Sequence, residues 1–216
     1  LVEMLVDATR RHDQPLTTER IQGWQAALFP TGFSGMHRID VGRWRSGPVR
    51  VVSSSPSRER IHFEAPEAER VPEEMDAFLR WWDREQRDGI LRAGLAHLWF
   101  VTIHPFDDGN GRVARAITDM ALAQDEGREH RLYSMSSQIL EERADYYEIL
   151  ERTQRGGRDV TDWLSWFLGC PQRAIVRAEK RVDVVVAKAL FWQHHADDVL
   201  NARQIIEDMR QMGHYA

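Results

Sequence analysis

An all-α helical bundle carrying one small β-hairpin is the fold class this sequence predicts, and three observations predict it. From Pro72 onward, segment after segment places apolar residues at the 3.6-residue spacing of helices. Residues 90–103 are apolar on nearly every face (Leu91, Leu95, Leu98, Trp99, Val101), as expected of a helix at the centre of a bundle. Only the stretch from about 49 to 64 combines alternation with β-branched residues, the pattern of paired strands.

The elements follow in order. Residues 1–11 read as the end of a helix, broken at Pro15, and Thr17 or Thr18 can cap the next, whose Ile21, Trp24 and Leu28 share one face. Pro30, Gly32, Gly35, Gly42 and Gly47 then punctuate a long irregular connection in which Trp44 reads as a packing anchor. Val49, Val51 and Val52 lead into Ser53-Ser54-Ser55-Pro56-Ser57, read as a turn, and Ile61-His62-Phe63 follows as the returning strand. A hairpin this small is not stable alone and must lie on the helices. Pro72-Glu73-Glu74 opens a helix with proline and acids in the first turn, where they suit the dipole, and it continues through Phe78, Leu79, Trp81 and Trp82. Gly89 precedes the central helix, a further helix starts near Gly111 and runs to about Ala123, and another covers roughly 136–154. Asp159-Val160-Thr161 reads as a cap and helix start, and helical segments run on to about Met212 with Asn201 as an N-cap. The expected organisation is one domain over 1–186 and a C-terminal helical extension, cut short, over 187–216.

Composition narrows the function. A net charge of -5 argues against sequence-independent nucleic-acid binding, which needs a concentrated basic surface. The single cysteine, Cys170, excludes an intramolecular disulfide framework and suits a reducing cytoplasmic setting. Beside Trp166, Phe167 and Leu168 it reads as a buried, unreactive thiol. No apolar run approaches the ~20 residues that span a bilayer, so no membrane partner is expected. The chain begins at Leu1, already in a helical pattern, as expected for part of a longer protein. His194-His195 stand without further ligands and do not form a metal set.

The chemistry concentrates in His104-Pro105-Phe106-Asp107-Asp108-Gly109-Asn110-Gly111-Arg112-Val113-Ala114-Arg115. Gly109, Asn110 and Gly111 fall where the second of two helices begins, so unpaired N–H groups and the positive end of the dipole form an anion nest. Flanking glycines let a phosphate approach the backbone. Arg112 and Arg115 share a face and can grip adjacent phosphates, while Asp108 offers the hard oxygen that Mg²⁺ prefers beside phosphate. His104 ends the buried helix and titrates near neutrality, which suits a general base for a hydroxyl nucleophile, and Pro105 helps to expose it. Singly each has an ordinary reading as a cap, a solvated charge or a turn. Together, at this spacing, they point to polyphosphate chemistry.

The stretch resembles the signature of the Fic domain family, His-Pro-Phe-x-(Asp/Glu)-Gly-Asn-Gly-Arg-x-x-Arg, at every fixed position. The resemblance extends over about residues 15–185, including the hairpin and Arg143-Ala144-Asp145-Tyr146-Tyr147. It implies a Fic-type helical bundle whose hairpin is a flap next to the active-site loop, and an enzyme that transfers AMP from ATP to a Ser, Thr or Tyr hydroxyl of a target protein, releasing pyrophosphate. By the same resemblance His104 deprotonates the hydroxyl and Asp108 holds Mg²⁺. Gly109, Asn110 and Gly111 cradle the α-phosphate, Arg112 contacts the β-phosphate and Arg115 the γ-phosphate. The flap residues Ile61, His62 and Phe63 would dock the target as an added strand. Tyr146 and Tyr147 resemble a tyrosine pair near the adenine, and Gln154 stands where related sequences often carry asparagine. For these three, plain packing remains an alternative reading.

Many relatives carry an inhibitory Ser/Thr-x-x-x-Glu-(Gly/Asn) helix whose glutamate pairs with the second motif arginine. No such hexapeptide occurs in this sequence. The inhibitor is therefore expected in a segment before Leu1 or in a separate antitoxin, which leaves Arg115 free and the chain able to adenylylate itself. A homodimer stays open. Phosphoryl or uridylyl transfer, or nucleotide binding without turnover, are the competing functions. The intact Gly-Asn-Gly and His104 favour adenylyl transfer over both.

Overall fold

The computed structural model describes residues 2–55, 58–85, 88–129 and 131–211. These divide into two compact units, residues 1–174 and 175–216. The first holds helices α1 (Val2–Arg10) and α2 (Thr18–Leu28), two antiparallel strand pairs, helices α3 (Val71–Arg84) to α7 (Arg143–Arg155), and the opening turns of α8 (Thr161–Gln211). The architecture is the all-α bundle with a small hairpin that the sequence predicts.

Local chemistry explains most of the starts. The Thr17 hydroxyl accepts from Arg20 N at the head of α2, and Pro72, Glu73 and Glu74 sit in the first turn of α3. The Asp88 carboxylate accepts from Ile90 N to open α4 (Gly89–Ile103), and Asp159 does the same for Thr161 N before α8. At Gly89 a Cβ would lie 2.2 Å from the Asp125 Cβ, so glycine is required where α4 meets the end of α5 (Asn110–Glu126). α4 packs against α5 through a core that includes Ala93, Ala96, Phe100, Val113, Ile117 and Met120, all fully buried.

The hairpin pairs β3 (Arg50–Ser55) with β4 (Arg58–Glu64). Ser53, Ser54 and Ser55 belong to the strand, opposite Arg60, Glu59 and Arg58, not to the turn the sequence suggests. Pairing with a second strand overrides the turn preference of a serine run, and the Pro56-Ser57 part lies outside the described residues. The register slips between Val51, opposite Phe63, and Val52, opposite Ile61, which leaves His62 as the extra residue of a bulge.

Three expectations are corrected. The irregular connection after α2 contains a short ladder, β1 (Phe33–Ser34) with β2 (His37–Arg38), too brief to show alternation in sequence. The helix expected over 136–154 is two, α6 (Met135–Glu141) and α7, separated at Glu142. The Glu142 carboxylate is held by Arg173 of α8 at 2.5 and 2.7 Å, a tertiary tie that local sequence does not reveal. Asn201 lies inside α8 and caps nothing, because the chain does not break there. α8 is described as far as Gln211, and Met212 lies outside the described residues.

Cys170 is fully buried and burial pushes its thiol up to about 12, so it is inert. In the second unit His195 pairs with Asp198 at 3.1 Å, and the Phe191 ring meets Trp192 edge-on and His195 at a tilt. No helix among the described residues is long and apolar enough to cross a membrane.

Candidate active site

The turn between α4 and α5 is closed by a side chain. Asn110 is buried; its Oδ1 accepts from Phe106 N at 2.9 Å and its Nδ2 donates to Phe106 O at 2.8 Å. The Asn110 side chain is thus committed to the loop, and only its main chain faces a ligand. Gly109, at φ +92°, is the N-cap of α5, a conformation that disfavours any Cβ. The first N–H groups of α5, at Asn110 and Gly111, have no intrahelical carbonyl to meet and point out of the helix end.

His104 caps α4 in the left-handed region, the one non-glycine with positive φ among the described residues. Its Nδ1–H donates to Val101 O at 3.1 Å, which leaves the Nε2 lone pair available. Burial lowers the imidazole pKa, the Arg45 cation pushes it the same way, and the Val101 carbonyl and Asp108 oppose them. The ring is therefore neutral at physiological pH and able to take a proton.

Asp107 and Asp108 diverge. The Asp107 carboxylate accepts from Asp40 N at 2.9 Å and so braces the loop. Asp108 accepts from the Ser34 hydroxyl and from Gly109 N, and its side chain stays 44% exposed. Among the described residues, no three His, Cys, Asp or Glu side chains are grouped to hold a metal. A lone exposed carboxylate beside an anion nest fits Mg²⁺ carried mainly by phosphate oxygens and water.

These groups face a cavity of about 550 Å³. His104, Asp108, Gly109, Asn110, Gly111 and Arg115 form one side, His62 and Phe63 of the flap another, and Tyr146, Tyr147 and Gln154 of α7 a third. Two predicted residues stand apart. Ile61 is exposed and contributes its carbonyl to Arg155, because the bulge at His62 shifts the alternation of β4. Arg112 lies over the Phe29 ring, with Asp108 at 3.5 Å, and lines a neighbouring hollow shared with Arg115, Arg143, Tyr146 and Tyr147. Arg115 has no ion pair among the described residues.

Four supporting residues escaped the sequence reading. Ser34 reaches Asp108, and the buried Gln25 bridges Asp108 O and Gly42 N. Arg45 binds the His104 carbonyl. His97, fully buried and held neutral with its pKa lowered to about 3, links α5 to α7. Its polarity follows from Thr118, whose one proton goes to Ala114 O at 3.0 Å. His97 Nδ1–H therefore donates to Thr118 Oγ1, and the Tyr146 hydroxyl donates to His97 Nε2 at 2.9 Å. Tyr146 is thus both a packed core residue and a wall of the cavity. For Gln25 and His97 the sequence signal was a polar side chain in an apolar helix face; Ser34 and Arg45 lie outside helices and gave none.

A helical bundle in which a neutral histidine, the N-terminus of α5 and a hairpin face one cavity defines a Fic-type fold. The sequence profile of the Fic/DOC family matches residues 15–122, half of the chain, and the protein belongs to that family. It is 32% identical over 144 residues to the protein adenylyltransferase Fic of Nematostella vectensis, covering 64% of this chain and 29% of that one. It is 31% identical over 118 residues to the uridine 5'-monophosphate transferase of Xanthomonas campestris, covering 50% of this chain and 21% of that one. The chain thus spans less than a third of these curated relatives. A solved Fic family protein from Desulfovibrio desulfuricans G20 shares the fold with a TM-score of 0.65 at 23% identity, covering 83% of this chain and 53% of that one.

Proposed function

We propose that the chain is a protein adenylyltransferase domain that moves AMP from ATP to a hydroxyl of a target protein. The observation that carries this reading is the single cavity in which the free Nε2 of His104 shares space with the N-terminus of α5. The target oxygen attacks the α-phosphorus while His104 Nε2 takes the hydroxyl proton. The bond from the α-phosphorus to the bridging oxygen breaks, and pyrophosphate leaves with that electron pair. N–H groups of Asn110 and Gly111 stabilise charge on the α-phosphoryl oxygens, and Arg115, with Arg112 reaching from the adjoining hollow they share, stabilises charge on the leaving group. Mg²⁺, held by Asp108, would add charge neutralisation across the phosphates. Hairpin residues including His62 and Phe63 would present the target as an added strand. The unpaired Arg115 supports transfer onto the chain itself.

Uridylyl transfer is the second reading, supported by the similarity to the Xanthomonas protein. Incubation with Mg²⁺ and α-labelled ATP or UTP, read by intact mass, separates the two. We expect AMP transfer from ATP that falls at least about 100-fold in His104→Ala while ATP still binds. Label from UTP alone, or activity retained in His104→Ala, would overturn the reading.

A further inference from the structure

Arg45 lies in the connection before the hairpin and is 2% exposed. Its guanidinium donates to three carbonyls from separate parts of the chain. Nε reaches His104 O at 2.8 Å, Nη1 reaches Gly47 O at 2.8 Å and Nη2 reaches Pro66 O at 2.5 Å. Its main-chain N–H donates to Pro105 O at 2.9 Å, and the neighbouring Trp44 ring packs on Phe106 with centroids 5.0 Å apart. Gly47 and Pro66 flank the open end of the hairpin, whose last rung is Ala65 N to Val49 O at 3.0 Å. One planar cation therefore joins both feet of the flap to the backbone of the histidine.

That joint falls where the backbone needs support. A left-handed non-glycine is strained and persists only when its surroundings fix it. At His104 the amide donates to Phe100 O, the ring donates to Val101 O, and the carbonyl is taken by Arg45. Burying a cation against carbonyls is costly unless its geometry is filled, and the fork of arginine matches three acceptors where an ammonium cannot.

We infer that Arg45 is a positioning residue that fixes the distance between the flap and the catalytic histidine, so that a target strand docked on the hairpin meets His104 in register. This rests on the transferase reading above. Arg45 bonds to none of Gly109, Asn110, Gly111 or Arg115, so nucleotide binding should be independent of it.

The test compares Arg45→Lys and Arg45→Met with the unmodified chain. It measures kcat for transfer from ATP, ATP affinity by calorimetry, and hydrogen exchange of the hairpin and motif loop. Both variants should lose kcat by about tenfold or more, since small misplacements of reacting groups cost that much. ATP affinity should stay within about twofold, and hairpin amides should exchange faster. Wild-type kcat in Arg45→Lys, or ATP affinity falling in step with kcat, overturns the inference. If Arg45→Met does not fold, Arg45→Lys decides alone. If the unmodified chain transfers nothing, the transferase reading fails by itself. Exchange then decides for the clamp, and unchanged hairpin and loop amides in Arg45→Lys would reject it.

Discussion

The motif loop and the flap face each other across one cavity but are held by different means. Between Pro105 and Gly109 main-chain groups meet buried or partly buried partners: Arg45 N at Pro105 O, Asn110 at both polar groups of Phe106, and Gln25 at Asp108 O. The hairpin is tied at its feet by Arg45 and along β4 by the His62–Glu151 contact at 2.5 Å and by Arg155 on Ile61 O. The difference fits the two tasks proposed above. A nest for developing phosphate charge gains from being preorganised, whereas an edge that takes a varied strand gains from being able to shift.

The loop should therefore break hard. Asn110→Ala leaves the N–H and C=O of the fully buried Phe106 without partners, at a cost of about 2–4 kcal/mol. Chemical denaturation should show that loss together with weakened ATP binding. An unchanged midpoint would mean that the loop is held by something other than this side chain. Gly109→Ala should come next. Its φ of +92° and a Cβ 3.0 Å from the Phe29 ring imply about 1–2 kcal/mol of strain, and calorimetry should show ATP affinity reduced by about tenfold.

How much of this was legible in the sequence depends on how far each residue's partner lies along the chain. Caps and starts such as Thr17, Pro72 and Asp159 read correctly because their partners are within a turn. Most of the motif residues line one cavity, yet the task of the Asn110 side chain was not legible, since only the folded turn shows both its ends meeting Phe106. Gln25, Arg45 and His97 bond across 83, 59 and 49 residues, and no local pattern encodes such partners. The break at Glu142 is of the same kind, because Arg173 on another helix holds it.

The pH response tests the catalytic side of the comparison. With burial holding its folded pKa below the ordinary 6.5, His104 takes up its proton at lower pH than a free imidazole. The acidic limb of kcat/KM should accordingly lie below pH 6.5. Stability runs the other way. The unfolded chain takes up this proton first, so stability contributed by neutral His104 is lost progressively as pH drops below 6.5. A limb at pH 6.5 or above would show that the ring is more solvated, and the enclosing loop looser, than described.

The smallest effect should come from the flap. Glu151 accepts from His62 at 2.5 Å and from Arg155 at 2.9 Å, so Glu151→Gln keeps the shape but removes the charge that binds both. These contacts are partly solvated, and the stability change should stay within about 0.5 kcal/mol. What should move is recognition: KM for a protein target should change by about two- to fivefold while ATP affinity and kcat hold, since the contacts of Glu151 with His62 and Arg155 lie on the flap side of the cavity. If instead kcat falls as far as in the loop variants, the flap is as rigid a part of the catalytic apparatus as the loop. The contrast between an adaptable edge and a preorganised nest would then have to be given up.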